Sequence, residues 1–117
     1  MTTLIKKIKD KDWAFNLLTD KRYEKLNGDD SDGITYTDQK YVDFRKSSLN
    51  MKVILHELFH VYNKMSLTDS MDVDRHGQEE LGCEIFAEHG LEILNLALEI
   101  DTFFRHSQKK DGNKRRK

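Results

Sequence analysis

The chain has 117 residues, which is enough for one small domain and too few for two independent hydrophobic cores. It carries 20 basic and 21 acidic side chains, and this near balance argues against a duplex-DNA-binding protein with a basic surface. No apolar run is long enough for a signal peptide or a membrane span, so a membrane partner is not expected. The single cysteine, Cys83, excludes an intramolecular disulfide and favours a reducing cytoplasm.

The first half of the chain predicts a small layer of strands. Residues 2–9 read as one or two helical turns, whereas the apolar and aromatic run from Trp13 to Leu18 is typical of a strand. KRYEKLNG ends in a turn signal, and DDSDG reads as an exposed loop. The segment ITYTDQKYVDF carries aromatic and β-branched residues on both sides of Asp38-Gln39, which predicts a β-hairpin.

A long apolar run after Ser47 and Ser48 predicts the first of two helices. We expect this helix to run from about Ser48 to Lys64, with a serine as its N-cap. Its apolar residues recur at helical rather than alternating spacing, at Val53, Leu55, Leu58, Phe59 and Tyr62.

A second helix is expected from about Asp74 to His106, after the short polar loop SLTDSMDVD. Gly90 inside it costs about 1 kcal/mol relative to alanine and marks a candidate bend. Residues 107–117 are basic and lack an apolar anchor, so we expect a disordered tail after a single domain of residues 1–106. The elements together predict an α+β fold, with a small antiparallel or mixed sheet followed by two helices. The buried stripe of the second helix is expected to contain Leu81, Ile85, Phe86, Leu91, Ile93, Leu94, Leu98, Ile100 and Phe104.

The pentapeptide HELFH, residues 56–60, contains two histidines and a glutamate, side chains that can bind a metal ion and transfer a proton. Positions four apart share one face of a helix, so His56 and His60 can direct two imidazole nitrogens at one metal ion, about 2.0–2.1 Å from each. Glu57 lies one step around the helix, where it can accept a proton from a water molecule that the metal activates. The alternative is a chance occurrence of a short motif, but an unpartnered glutamate in so apolar a run would be costly.

Catalytic zinc takes three protein ligands, so a third must come from outside the motif. The metzincin pattern needs Gly and His at set places after His60, and this chain has Asn63 and Ser66 there, which excludes that class. Two candidates remain at the start of the second helix, His76 and the pair Glu79-Glu80.

The succession of ITYTDQKYVDF, ILHELFHVY and EELGCEIFAEHGLEIL, within residues 33–95, resembles the gluzincin-type zincin metallopeptidases. The resemblance is to the compact ImmA/IrrE-like enzymes of phages and mobile elements in particular. It implies Glu80 as the third ligand, with Glu84 one turn later holding a ligand histidine. His76-Gly77 is similar to the third-ligand segment of SprT-like metalloproteases, which keeps His76 as the second choice and Glu79 as the third.

HELFH and this resemblance together predict a zinc-dependent metalloendopeptidase that acts on a protein or peptide substrate, with no direct binding of nucleic acid. Zn²⁺ would be held by His56, His60 and Glu80, with Glu57 as general base, and the protein cleaved is expected to be a repressor or regulator of a phage or mobile element. An extended substrate would pair with an edge strand of the hairpin. The alternative is a metal-containing zincin-fold binding module of weak activity that sequesters a host protein. The stabiliser of the oxyanion stays open among Tyr36, Tyr41, Tyr62, His89 and His106.

Overall fold

A computed structural model describes the backbone of residues 1–66 and 75–115, and the side chains of residues 1–64, 80 and 82–108. A single turn of 3₁₀ helix, Lys46–Ser48, precedes the second α-helix. The predicted α+β class is confirmed. The elements in chain order are β1 (Thr2–Ile8), β2 (Lys11–Leu18), α1 (Asp20–Asn27), β3 (Gly33–Tyr36), β4 (Tyr41–Arg45), α2 (Met51–Ser66) and α3 (Arg75–Arg115).

The four strands form one mixed sheet in the order β1-β2-β4-β3. β1 pairs antiparallel with β2, β2 pairs parallel with β4, and β3 pairs antiparallel with β4. The hairpin predicted around Asp38-Gln39 is confirmed as β3 and β4, and the strand predicted from Trp13 to Leu18 is confirmed as part of β2. This order leaves β3 at one edge of the sheet.

The helical turns predicted for residues 2–9 are wrong, because this segment is the strand β1. A two-residue turn at Lys9 and Asp10 joins β1 to β2, and both residues have positive φ angles, 48° and 68°. Positive φ at both central positions is the type I′ geometry, whose twist matches that of the two strands. Neither residue is the glycine or asparagine that usually announces such a turn, so the sequence gives little sign of it.

Helices cover both faces of the sheet. Neighbouring side chains of a strand point to opposite faces, so the contacts of two adjacent residues show which helix lies on which face. In β4, the ring of Phe44 lies edge-on to Phe104 of α3, with centroids 6.1 Å apart, whereas Asp43 accepts a hydrogen bond from Asn27 of α1 at 3.1 Å. The helices α2 and α3 therefore cover one face and α1 covers the other. The main core lies under α2 and α3 and includes Phe15, Val42, Phe44, Ile54, Leu58, Tyr62, Ile85, Ile100 and Phe104.

The helix α2 begins at Met51, later than the predicted start at Ser48. The side-chain oxygen of Asn50 accepts a hydrogen bond from the N–H of Val53 at 2.9 Å, which is the bond that an N-cap residue makes. The predicted serine cap is wrong, because Ser48 lies in the preceding 3₁₀ turn. Asn50 therefore fixes the point at which the HELFH helix starts.

The helix α3 is continuous through Gly90. Its buried face consists of Ile85, Ile93, Leu96, Ala97, Ile100 and Phe104. Apolar residues occur on several sides of this helix. Only those within an arc somewhat wider than about 100° around the helix axis can face one core, so the others remain at the surface. The predicted stripe is therefore partly wrong, since four of its members are exposed: Phe86, Leu91, Leu94 and Leu98. Leu81 lies outside the described side chains.

The backbone of residues 107–115 continues α3, whereas the sequence predicts a disordered tail from residue 107. The division of the chain at residue 106 stays a prediction. Among the described residues, no helix combines the length and the apolar character that crossing a bilayer requires.

Replacing Asn50 with alanine removes the acceptor at the start of α2, and we expect the free energy of unfolding to fall by about 1 kcal/mol. Urea denaturation followed by circular dichroism measures this. Ser48→Ala is the matched control, because its buried hydroxyl has no hydrogen-bond partner among the described atoms. Because no hydrogen bond is lost, Ser48→Ala should not lower the free energy of unfolding, and removal of an unpaired buried hydroxyl favours a small gain. If Ser48→Ala lowered the free energy of unfolding more than Asn50→Ala does, the serine and not Asn50 would be the N-cap of α2.

Candidate functional site

The helix α2 presents two different sides to its surroundings. Ile54, Leu58 and Val61 are buried in the core, whereas His56 and His60 lie on the exposed side. The apolar side packs at helical spacing against the sheet and α3, which fixes the rotation of the helix. The same packing therefore holds both imidazoles at the surface, one turn apart.

The two imidazoles approach a common point. Their Nε2 atoms are 3.3 Å apart, and the rings are inclined at 79° with centroids 4.9 Å apart. Two nitrogens that each lie about 2.0–2.1 Å from a tetrahedral zinc ion are separated by about 3.3–3.4 Å, so the observed distance fits a shared ion. The same distance also permits a long hydrogen bond between the rings when one Nε2 carries a proton, so either a proton or a metal ion can lie between the two nitrogens.

Glu57 lies between α2 and the edge strand β3. The residue is only 5% exposed, and the hydroxyl of Thr35 donates a hydrogen bond to its Oε1 at 2.8 Å. Its other oxygen, Oε2, lies 3.9 Å from Nε2 of His56. A buried carboxylate needs hydrogen-bond partners or a nearby charge. This arrangement satisfies one oxygen from the sheet and leaves the other beside the histidine pair.

Gly33 permits the close approach of β3 to α2. A Cβ atom at this position would lie 3.0 Å from Cγ of Glu57 and 3.2 Å from Cγ1 of Val53. Any larger residue would displace either the glutamate or the strand. Gly33 and Thr35 are thus functional neighbours that the sequence analysis missed. Alternation along a strand predicts that these two residues share a face, but their register against Glu57 is a tertiary contact without a local signal.

An open cleft runs between β3 and α2. It contains cavities of about 230 and 440 Å³, which share Gly33, His56 and Glu57 as lining residues. The smaller cavity also reaches His60 and Thr35, and the larger one ends on polar side chains that include Asp32, Asn50 and Lys52. An extended peptide placed along β3 would therefore pass Glu57 and the histidines.

A further cavity of about 460 Å³ lies between β1 and α3, near the ion pair of Lys6 and Glu99. No residue of HELFH lines it. Its size matches that of the cleft, but its chemistry does not, because it contains neither imidazole nor the buried carboxylate. We therefore place the candidate site in the cleft beside α2.

A third ligand is not brought to the histidine pair within the described residues. No three His, Cys, Asp or Glu side chains form a group there that could hold a metal, and Glu80 is exposed. The side chains of His76 and Glu79 lie outside the described part of the chain. Glu80, His76 and Glu79 all stay predictions.

The start of α3 nevertheless lies beside the histidine side of α2. The ring of Phe59 approaches to 3.6 Å from the place where a Cβ of Gly82 would stand. Phe59 belongs to the predicted apolar pattern of this helix but is 40% exposed, since it faces this part of α3 at the rim of the core. Glu84, predicted to support a ligand histidine, is exposed on α3.

The predicted oxyanion stabilisers lie elsewhere. The hydroxyl of Tyr36 donates to Oδ1 of Asn27 on the face covered by α1, and Tyr41 stacks on its ring with centroids 4.5 Å apart. Tyr62 and His89 pack together between α2 and α3, with centroids 5.4 Å apart. Burial raises the pKa of both Tyr36 and Tyr62, so both hydroxyls stay protonated at neutral pH. Among the described residues, the two cavities of the cleft are lined by none of Tyr36, Tyr41, Tyr62, His89 and His106.

Comparisons of this chain with protein-family models, curated proteins and solved structures give no match.

Gly33→Ala should disturb the contact between β3 and α2. The new methyl group would meet Cγ of Glu57 at 3.0 Å, and overpacking of this kind lowers the free energy of unfolding by about 1–3 kcal/mol. Urea denaturation measures the loss. Gly90→Ala is the control, because its nearest contact, Cδ2 of Phe86, is an ordinary 3.6 Å and alanine favours a helix by about 1 kcal/mol. A Gly33→Ala protein as stable as wild type would contradict the close approach.

Proposed function

We propose that this protein is a zinc-dependent metalloendopeptidase that hydrolyses a peptide bond of a protein substrate. The observation that carries the proposal is the pair of Nε2 atoms, 3.3 Å apart on His56 and His60, beside the buried carboxylate of Glu57. Hydrolysis by an HExxH site needs two metal ligands on one helical face and a base displaced from them. The geometry of α2 supplies both.

Zinc would be held by His56, His60 and a third ligand at the start of α3, for which we propose Glu80. His76 is the second choice and Glu79 the third. Imidazole and carboxylate are the ligand types found at catalytic zinc sites. When bound, zinc supplies Lewis acidity, which lowers the pKa of water and polarises a carbonyl group.

Glu57 is the proposed general base. Its Oε2 takes one proton from the attacking water and later gives that proton to the nitrogen of the leaving amine. The hydroxyl part of the water bonds to the carbonyl carbon as the C–N bond breaks, so the products are a carboxylic acid and an amine. Oε2 lies 3.9 Å from Nε2 of His56, farther than the about 3.3–3.4 Å that separates two ligands of a tetrahedral zinc ion, which supports a role for Glu57 as base and not as ligand.

The substrate is proposed to bind as an additional strand on the outer edge of β3, which has no strand partner among the described residues. Main-chain pairing with an edge strand gives affinity, and pockets for alternate side chains give specificity. The cleft along β3 has such pockets on either side of Glu57. The likeness of the sequence to ImmA/IrrE-like enzymes points to a cytoplasmic repressor or regulator of a phage or mobile element as the protein cleaved.

Zinc content tests the ligand assignment. We expect elemental analysis of the purified protein to give one zinc per chain, and His56→Ala or His60→Ala to reduce this to less than about one tenth, because two ligands on one helix act together. His106→Ala, an exposed histidine near the end of the described side chains, should keep its zinc. Glu80→Ala should lose zinc, whereas loss in His76→Ala with retention in Glu80→Ala would transfer the third ligand to His76.

Glu57→Gln tests the proposed reaction. Glutamine keeps the size of the side chain and can still accept the hydrogen bond of Thr35, so the fold and the zinc content should be retained. Cleavage of denatured casein and of a quenched-fluorescent peptide library should fall about 10²–10⁴-fold, the usual contribution of a general base. Glu88→Gln, an exposed glutamate of α3, should cleave like wild type.

The same assay separates the two candidate functions. If Glu57→Gln keeps its zinc and cleaves these substrates as fast as wild type, the protease mechanism is wrong. A wild-type protein that binds zinc but cleaves none of them would favour the metal-containing binding module that sequesters a host protein.

A further inference from the structure

We propose that Thr35 is a positioning residue, whose hydroxyl holds the carboxylate of Glu57 so that Oε2 faces the histidine pair. The inference rests on the proposed function and adds to it a residue outside the HELFH helix. The contact on which the proposal rests is the one to Glu57, so the role proposed for Thr35 is orientation of the base.

The hydrogen bond of Thr35 fixes the orientation of the carboxylate group of Glu57. Its Oγ1 lies 2.8 Å from Oε1 of Glu57 and 3.3 Å from the main-chain oxygen of the same residue. A hydroxyl has one proton, and the shorter contact with a charged acceptor is the stronger one. The terminal torsion of a glutamate is otherwise broad and roughly two-fold. Fixing Oε1 on β3 therefore fixes Oε2, which lies 3.9 Å from Nε2 of His56.

The strand that carries Thr35 is held from its opposite face. Thr35 pairs with Val42 of β4, and the next residue, Tyr36, stacks on Tyr41 and donates a hydrogen bond to Asn27 of α1. The β-branched side chain of threonine also has few rotamers. The hydroxyl is therefore presented to Glu57 from a fixed backbone, and the position of the base depends on the sheet as well as on its own helix.

The close contact at Gly33 confines Glu57 along the same strand. The side chain of Glu57 lies against the bare Cα of Gly33, where an added Cβ would stand 3.0 Å from its Cγ. Gly33 thus restricts the stem of the glutamate, and Thr35 restricts its carboxylate. Because the outer edge of β3 is also the proposed binding site for substrate, one strand would position both the base and the substrate relative to each other.

Substitutions at Thr35 distinguish orientation from mere stability. Thr35→Val keeps the shape of the side chain and removes the donor, whereas Thr35→Ser keeps the donor and removes a methyl group. Thr3→Val is the matched control, because Thr3 is also a strand threonine, on the edge strand β1 at the opposite end of the sheet from β3, and its hydroxyl donates at 2.8 Å to Asn16 of β2. Each valine variant loses one side-chain hydrogen bond of 2.8 Å, but only Thr35→Val loses a bond to Glu57.

Steady-state kinetics of the zinc-loaded proteins, on the peptide that wild type cleaves best, give the main readout. We expect Thr35→Val to lower kcat about 10- to 100-fold with KM within about twofold of wild type, since misplaced catalytic groups cost rate rather than binding. Thr35→Ser should restore kcat to within about threefold, and Thr3→Val should leave it unchanged. Zinc content should match wild type in all three variants, because no metal ligand is altered.

Crystal structures of the zinc-free variants give a second readout. The Glu57 carboxylate should turn away from its wild-type orientation in Thr35→Val and keep it in Thr35→Ser. If Thr35→Val retains wild-type kcat while the wild type is active, or if it keeps the wild-type carboxylate orientation, the positioning role is wrong and the proposed function stands. A wild type that binds no zinc and cleaves no peptide would overturn the proposed function, and this inference with it.

Discussion

The buried carboxylate of Glu57 is the constraint on which the candidate site depends. A carboxylate that is 5% exposed between a helix and a strand must find hydrogen-bond partners, because water is excluded from most of its surface. The chain meets this need with the hydroxyl of Thr35 and makes room for the glutamate by omitting a side chain at Gly33. Both residues lie on β3, so the helix that carries the histidines and the strand proposed to bind substrate are coupled through this one acid. β3 is an edge strand, so among the described residues it contacts Glu57 while its outer side has no strand partner.

The geometry of the histidine pair has a different origin. The separation of His56 and His60 is a property of α2 alone, because residues four apart lie one turn apart on any regular helix. The core side of α2, formed by Ile54, Leu58 and Val61, determines only that this pair lies at the surface of the cleft. The two side chains proposed as metal ligands are therefore held one turn apart as soon as α2 is packed. The proposed third ligand would come from another element, and the approach of Phe59 to Gly82 makes the start of α3 the nearest source among the described contacts.

The parts of this structure that the sequence could predict are those with a local cause. The helix around HELFH, the strand at Trp13–Leu18 and the hairpin around Asp38-Gln39 each follow from the spacing of apolar residues and from turn chemistry. β1 was missed because its turn, Lys9-Asp10, adopts positive φ without glycine or asparagine. The cap of α2 was assigned to a serine because Ser48 and Asn50 are both good caps, and only the backbone decides between them. The exposed leucines of α3, such as Leu94, were assigned to the core because an apolar pattern does not say which stripe of a helix faces inward.

The residues of the candidate site also fall into two groups, those that a local sequence motif predicts and those that only a tertiary contact brings together. His56, Glu57 and His60 can be read from five consecutive letters, whereas Thr35 and Gly33 are more than twenty residues away and meet Glu57 only through the register of β3 against α2. This division has a chemical counterpart in the proposed enzyme. Contacts between α2 and α3 would govern how tightly the metal is held, and contacts between α2 and β3 would govern how well the base is aimed. Because the two sets of contacts use different residues, Phe59 towards α3 and Glu57 towards β3, the proposed enzyme would be able to change metal affinity and the orientation of the base separately. In the proposed enzyme, removal of the Thr35 hydroxyl would lower turnover while the fold and the zinc content stay unchanged, so turnover would depend on β3 as well as on the HExxH helix.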